Sequence, residues 1–296
     1  MNNRDFLNPE VATKLDRFEI RARLIVEGFI TGLHKSPYHG FSVEFLEHRE
    51  YYPGDPIKHI DWKVFAKSDK YFVKKFEEET NLKANILIDC SKSMGFSSQK
   101  VNKLEYSKTL AAALSYLMIS QQDAVGLLSF SEKIRDYIPP RSAKTHLNTI
   151  FHKLDELSPQ STTNTTEILH NLAERIKKRG LIILISDLWD EPEEIMMGLQ
   201  HFRHQKHEVI LFHILDKQEL NFKYNKKTRF IDMETGEEII THPWEIKKMY
   251  LKKIEKMQKF FAVKCRDSYI DYVPINTNTS YDRALFAYLI KRQKLL

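Results

Sequence analysis

Apolar residues in this chain follow two rhythms. From residue 84 onward, short aliphatic runs alternate with stretches of helical spacing. ANILID (84–89), AVGLLSFS (124–131), LIILIS (181–186), EVILFHILD (208–216) and YIDYVPI (269–275) read as strands. IRDYIPP (134–140) reads as a shorter strand that its two prolines place near an edge. Between them, helical spacing covers 102–121, 145–157, 166–178, 191–205, 245–263 and 280–293. LIILIS lacks polar alternation, so both of its faces are expected to be buried, as in a parallel sheet. Strand–helix alternation at this spacing predicts an α/β fold: a doubly wound sheet with helices on both faces. In such sheets ligands bind outside the carboxyl ends of the strands.

Two segments depart from the rhythm. Residues 1–83 read as one helix (about 9–28) followed by turns and short strands, a small N-terminal α+β subdomain. Within it YYPGDP (51–56) is a turn, because Pro53 presets φ and Gly54 permits positive φ. Residues 217–244 read as a hairpin inserted into the sheet domain of 84–296, with ETGEE as its turn.

Composition narrows the class. Of 296 residues, 42% are hydrophobic and 29% charged, enough for a sizeable core and unlike a disordered chain. No apolar run approaches the ~18 residues of a membrane span, so direct membrane insertion is not expected. The first residues lack an apolar signal core, and two cysteines make no disulfide framework, so the expected compartment is the cytoplasm. The net charge of +6 sits in residues 216–296, which hold 17 basic against 11 acidic residues. A lysine-studded, solvated amphipathic helix explains this charge more simply than a nucleic-acid surface. Its apolar stripe would be Ile246, Met249, Tyr250 and Ile254.

The candidate chemistry lies in ILIDCSKSMG (86–95), where Asp89, Ser91 and Ser93 stand at i, i+2 and i+4 after a buried strand. A carboxylate and two hydroxyls are hard oxygen ligands that suit Mg²⁺, Mn²⁺ or Ca²⁺ rather than zinc. LIILISDLWD places Asp187 after a second buried strand, and STTNTTE (161–167) is a hydroxyl-rich loop before a helix. Any one of these alone is explained by helix capping. Three such loops at one sheet edge point to a metal site.

IDCSKSM, the Thr-rich loop and ISD resemble the metal-ion-dependent adhesion site of von Willebrand factor A domains. Almost the whole chain is similar to the bacterial domain of unknown function 58 proteins, through REYYPGDPIKHIDW (49–62), ILIDCSKSM (86–94), SDLWDEPEEI (186–195), RFIDMETGEEI (229–239) and YDRALFAYLIKR (281–292). The resemblance implies a mostly parallel von Willebrand A sheet with one antiparallel edge strand. It implies that Ser91 and Ser93 bind the ion directly, Thr166 directly or through water, and that Asp89 and Asp187 act mostly through water. It leaves one coordination position for an Asp or Glu of a protein partner, and it implies work with a MoxR-type AAA+ ATPase or its client in complex assembly or chaperoning. The third loop lacks the family's usual glycine before its threonine. Aligning the helix start picks Thr166, with Thr165 and Thr163 open within 162–166.

No nucleophile–base–orienter set and no phosphate-binding glycine loop is visible, so the chain reads as non-catalytic. The alternatives are an Mg²⁺-dependent phosphoesterase, which would need carboxylates beyond Asp89, Asp187 and Asp190, and a nucleic-acid binder using the basic C-terminal region. Cys90 reads as a packing residue. HFRHQKH (201–207) reads as solvent-facing histidines rather than a metal site. In REYYPGDPIKHIDW, Arg49, Asp55 and Asp61 read as turn-fixing ion pairs and Trp62 as a packing anchor, with a partner surface as the alternative.

Overall fold

The structure is a computed structural model and describes residues 3–33, 48–50, 72–74, 82–160, 165–233 and 236–295. Residues 1–32 and 82–296 form one compact unit, and 33–81 form another. The first 32 residues thus cluster with the residues that form the main sheet. In the second unit, β1 (His48–Glu50) pairs antiparallel with β2 (Phe72–Lys74). The YYPGDP turn and the side chains of the 49–62 block lie outside the described residues.

The expected N-terminal helix is split into α1 (Pro9–Ala12) and α2 (Phe18–Leu33). At the break the Arg21 guanidinium donates to the carbonyls of Leu15 and Thr13. These bonds take up carbonyls that the break leaves without helical partners.

The main sheet holds β3 (Lys83–Asp89), β4 (Ala124–Phe130), β5 (Ile134–Arg141), β6 (Leu181–Ser186), β7 (Glu208–Leu215) and β10 (Asp271–Asn276). Their order is β10-β7-β6-β3-β4-β5. Every pair is parallel except β4–β5, so Ile134–Arg141 is the edge strand its prolines suggested and the antiparallel one the resemblance implied. Every residue of β4 and β6 is buried, as the unbroken aliphatic runs required.

Helices α5 (Thr165–Arg175), α6 (Pro192–His204) and α8 (Pro243–Asp267) share one core with the sheet. There Leu87, Leu184 and Leu211 pack with Leu172, Leu199 and Phe261. Across the sheet lie α3 (Lys103–Ser120), α4 (His146–Glu156) and α9 (Asp282–Leu295). The Asn102 side chain caps α3 by accepting from the Glu105 amide at 2.7 Å. Helix α2 packs onto α3 through the Arg21–Glu105 ion pair, and α9 joins α3 through the stacked rings of Tyr106 and Tyr281. This is the expected doubly wound, mostly parallel α/β fold.

The 217–244 insertion begins with a short helix, α7 (Lys217–Asn221), and then forms the expected hairpin, β8 (Thr228–Ile231) paired with β9 (Glu238–Thr241). Two readings need correction. His207 is buried rather than solvent-facing, because its Nε2 reaches the Ile176 carbonyl at 2.7 Å. Met249 is 70% exposed, so the α8 stripe runs instead through Ile254, Phe261 and Cys265. No helix among the described residues is long and apolar enough to cross a membrane.

Candidate metal site

From β3 the chain moves outward to β4 on one side, and from β6 to β7 and β10 on the other. The crevice of a doubly wound sheet opens where the order reverses, between the carboxyl ends of β3 and β6. Asp89 ends β3 and Asp187 follows β6, and each is 1% exposed.

Both oxygens of Asp89 are engaged. The Ser91 amide donates to Oδ1 at 2.8 Å, and the Ser186 hydroxyl donates to Oδ2 at 2.6 Å. Ser186 in turn accepts from the Leu188 amide at 3.1 Å. Leu188 has φ 56°, the left-handed region that a branched side chain disfavours. Its burial and that hydrogen bond hold it there, turning the chain just after Asp187. The Ser91 and Ser93 hydroxyl oxygens lie 3.0 Å apart. Ser91 precedes the short turn Lys92–Gly95 without capping it, so capping leaves its hydroxyl unexplained. Burial, then repulsion by Asp187, pushes the Asp89 carboxyl up to about 7, against the hydrogen bonds from Ser186 and Ser91.

This donor set fits a hard dication. Two buried acids repel each other near two hydroxyls of one loop, and these four candidate groups offer only oxygen. Among the described residues no three His, Cys, Asp or Glu side chains gather in a way that could hold a metal, so any site here depends on the serines.

A cation from the chain itself already stands beside Asp187. The Lys103 ammonium, fully buried, donates to Asp187 Oδ2 at 2.8 Å and to Glu219 Oε1 at 2.6 Å. Burial opposes its charge, but Asp187 and Glu219 outweigh that and hold the amine above its usual range. The same neighbourhood pushes the Glu219 carboxyl up, through burial opposed by Lys103. Glu219 lies in α7, where its Oε2 accepts from the Asp216 amide at 2.6 Å, so Asp187 is tied through Lys103 to the start of the insertion. Asp216 also accepts from the Ser98 amide at 3.1 Å. Burial pulls the His213 imidazole down to about 3, so it is neutral. Its Nε2 donates to the Asp187 carbonyl at 3.0 Å, and its Nδ1 therefore accepts from the Tyr272 hydroxyl at 2.7 Å.

The third loop is the part not brought together. Thr166 is half-buried, its hydroxyl donates to Glu194 Oε2 at 3.4 Å, and no hydrogen bond joins it to Asp89, Ser91 or Ser93 among the described residues. Thr163 and the side chain of Thr165 lie outside the described residues. The backbone still links the loops: the Gln160 amide donates to the Cys90 carbonyl at 2.8 Å. Cys90 itself is buried, and burial followed by the Asp89 charge pushes its thiol up to about 12, which leaves it a packing role. Sequence reasoning missed Lys103, Ser186, His213 and Glu219. A lysine at the first position of a helix gave no local sign of its burial.

The family described as "Protein of unknown function DUF58" matches residues 47–259. The chain is 23% identical over 241 residues to the uncharacterized protein Rv1480 of Mycobacterium tuberculosis, covering 78% of this chain and 74% of that one. The same figures hold for Mb1516 of Mycobacterium bovis. Among solved structures, the conserved hypothetical protein BatB from Bacteroides thetaiotaomicron is similar at 18% identity and a TM-score of 0.48, over 73% of this chain and all of that one. The SpRpn10 VWA domain is similar at 12% identity and a TM-score of 0.42, over 69% of this chain and 93% of that one. With the family pattern spanning more than half of its length, the chain belongs to the DUF58 family of proteins of unknown function.

Proposed function

We propose that this protein is a non-catalytic interaction module that uses a dication to bind an acidic side chain of a protein partner. Ser91 and Ser93 hold a Mg²⁺-type ion, with Mn²⁺ or Ca²⁺ as possible occupants. Asp89 and Asp187 orient the site from the outer shell, and a threonine of 162–166, Thr166 first, completes the protein's share. What carries this reading is the Ser91–Ser93 hydroxyl pair, 3.0 Å apart in a loop whose Ser91 amide bonds the buried Asp89 carboxylate, which Asp187 repels. Neutral hydroxyls leave a dication's charge under-compensated, and an incoming Asp or Glu then gains a strong partner. Outer-shell carboxylates fix ligand orientation, and Asp89 already fastens the loop that carries both serines through the Ser91 amide. Family resemblance adds a MoxR-type AAA+ ATPase or its client as the partner, in the cytoplasm.

The test is capture from native lysate with the full chain as bait, in Mg²⁺, in EDTA, and with Ser91→Ala/Ser93→Ala in Mg²⁺. The expected result is a partner recovered only by the wild type in Mg²⁺. Equal recovery in all three conditions overturns the reading. Partner-free, Mg²⁺-dependent turnover of a generic phosphoester, lost in Asp89→Ala, would replace it with an enzyme.

A further inference from the structure

Lys103 is the first residue of α3, and its local structure does not account for it. A cation in the first turn of a helix stands against the helix dipole. Its side chain is nevertheless fully buried. Nor does stability account for it. A buried ion cluster is weak evidence for stability, since apolar residues of similar volume in its place are often neutral or stabilising. The residue packs at the end of the metal loop instead. Its amide donates to the Phe96 carbonyl at 3.3 Å, and its ammonium stands 5.8 Å from the Phe96 ring. Phe96 directly follows the turn Lys92–Gly95 that carries Ser93.

The ammonium bridges Asp187 Oδ2, at 2.8 Å, and Glu219 Oε1, at 2.6 Å, so its charge is shared by two acids. Asp187 is also the acid whose charge Asp89 feels. A dication on Ser91 and Ser93 would therefore meet an Asp187 that is already neutralised. It would also meet the field of the ammonium behind that acid. Like charges repel, and with both side chains out of water the repulsion is screened far less than at a surface.

We propose that Lys103 is a built-in counter-charge that holds down the ion affinity of the site by neutralising Asp187 in advance. It is a positioning residue: it acts through Asp187 and touches neither ion nor partner. The inference rests on the metal-dependent docking reading and supplies its regulation. On its own the site offers the ion a weakened acid, so the ion is held firmly only once a partner's carboxylate adds its charge. Ion and partner then bind together, each raising the other's affinity by the same factor. Glu219 works in the opposite sense, because it takes up part of the ammonium's charge and leaves more of Asp187 to the ion.

Mn²⁺ titration of the full chain compares the wild type with Lys103→Met, Glu219→Gln and Lys103→Met/Glu219→Gln, near-UV circular dichroism reporting the fold of each. Lys103→Met is expected to bind Mn²⁺ about tenfold or more tightly than the wild type, and Glu219→Gln more weakly. The double variant leaves one acid fewer without a counter-charge, so it carries the test if the single Lys103 variant does not fold. It too should bind more tightly than the wild type, because Asp187 loses its bonded cation. A lysine with a structural role alone would, on removal, leave ion binding unchanged or weakened. That outcome in a folded Lys103 variant overturns the proposal and leaves the metal site standing. If neither Lys103 variant folds, Glu219→Gln decides, and Mn²⁺ binding there as tight as in the wild type overturns the proposal. If no protein in the series binds Mn²⁺, the docking reading fails and the proposal fails with it.

Discussion

Lys103→Met is expected to lower the unfolding free energy by about 3–5 kcal/mol, the usual loss when one member of a buried ion pair is removed. The Lys103 side chain is 0% exposed and its two partners, Asp187 and Glu219, are 2% and 11% exposed. Methionine fills much the same volume, so the loss is electrostatic: two acids remain out of water with no compensating charge. Part of it is relieved by protonation of one acid, which holds the effect within that range. Urea unfolding in EDTA measures it. Lys103→Met/Asp187→Asn/Glu219→Gln is expected to regain most of the stability, since neutral groups need no counter-charge. A loss below about 1 kcal/mol in the single variant would show that the cluster is solvated and contradict the buried triad.

Gly180→Ala is expected to cost about 3 kcal/mol, at the upper end of overpacking effects. A Cβ at Gly180 would lie 2.2 Å from the Lys83 carbonyl oxygen and 3.2 Å from its carbon. Both are backbone atoms, so no rotamer change relieves the clash. The Gly180 carbonyl also accepts from the Glu208 amide at 3.0 Å, which fixes the residue from the other side. Relief requires the starts of β3 and β6 to separate, and these two strands carry Asp89 and Ser186 at their far ends. Gly180→Ala should therefore weaken Mn²⁺ binding as well as stability. Unchanged urea midpoint and Mn²⁺ affinity would contradict the close approach.

The sheet was legible because its strands are buried on both faces, which imposes uninterrupted aliphatic runs such as Leu181–Ser186. The position of Asp89 and Asp187 at strand ends followed from those runs, since a charge just past a buried strand must lie at the sheet edge. The edge strand betrayed itself through Pro139 and Pro140, which cannot donate to a ladder. Lys103 was not legible: a lysine at the first position of a helix reads as solvated, and only tertiary packing puts two acids around its ammonium. Leu188 was equally hidden, because no local preference places leucine at φ 56°. The helix break after Ala12 was also hidden, since apolar spacing runs through it and only the structure shows Arg21 bonding the carbonyls there. Met249 was misread because helical spacing identifies a stripe, while the insertion before α8 decides where that stripe begins.

The most direct measurement is Mn²⁺ titration of the purified chain, with free ion followed by its electron paramagnetic resonance signal, in wild type and in Ser91→Ala/Ser93→Ala. The two serines are not packing anchors, so the variant should keep the wild-type urea midpoint. The wild type is expected to bind one Mn²⁺ that Mg²⁺ displaces, and the variant to lose it. Equal Mn²⁺ binding by both proteins, or none by either, would contradict a metal site at the end of β3.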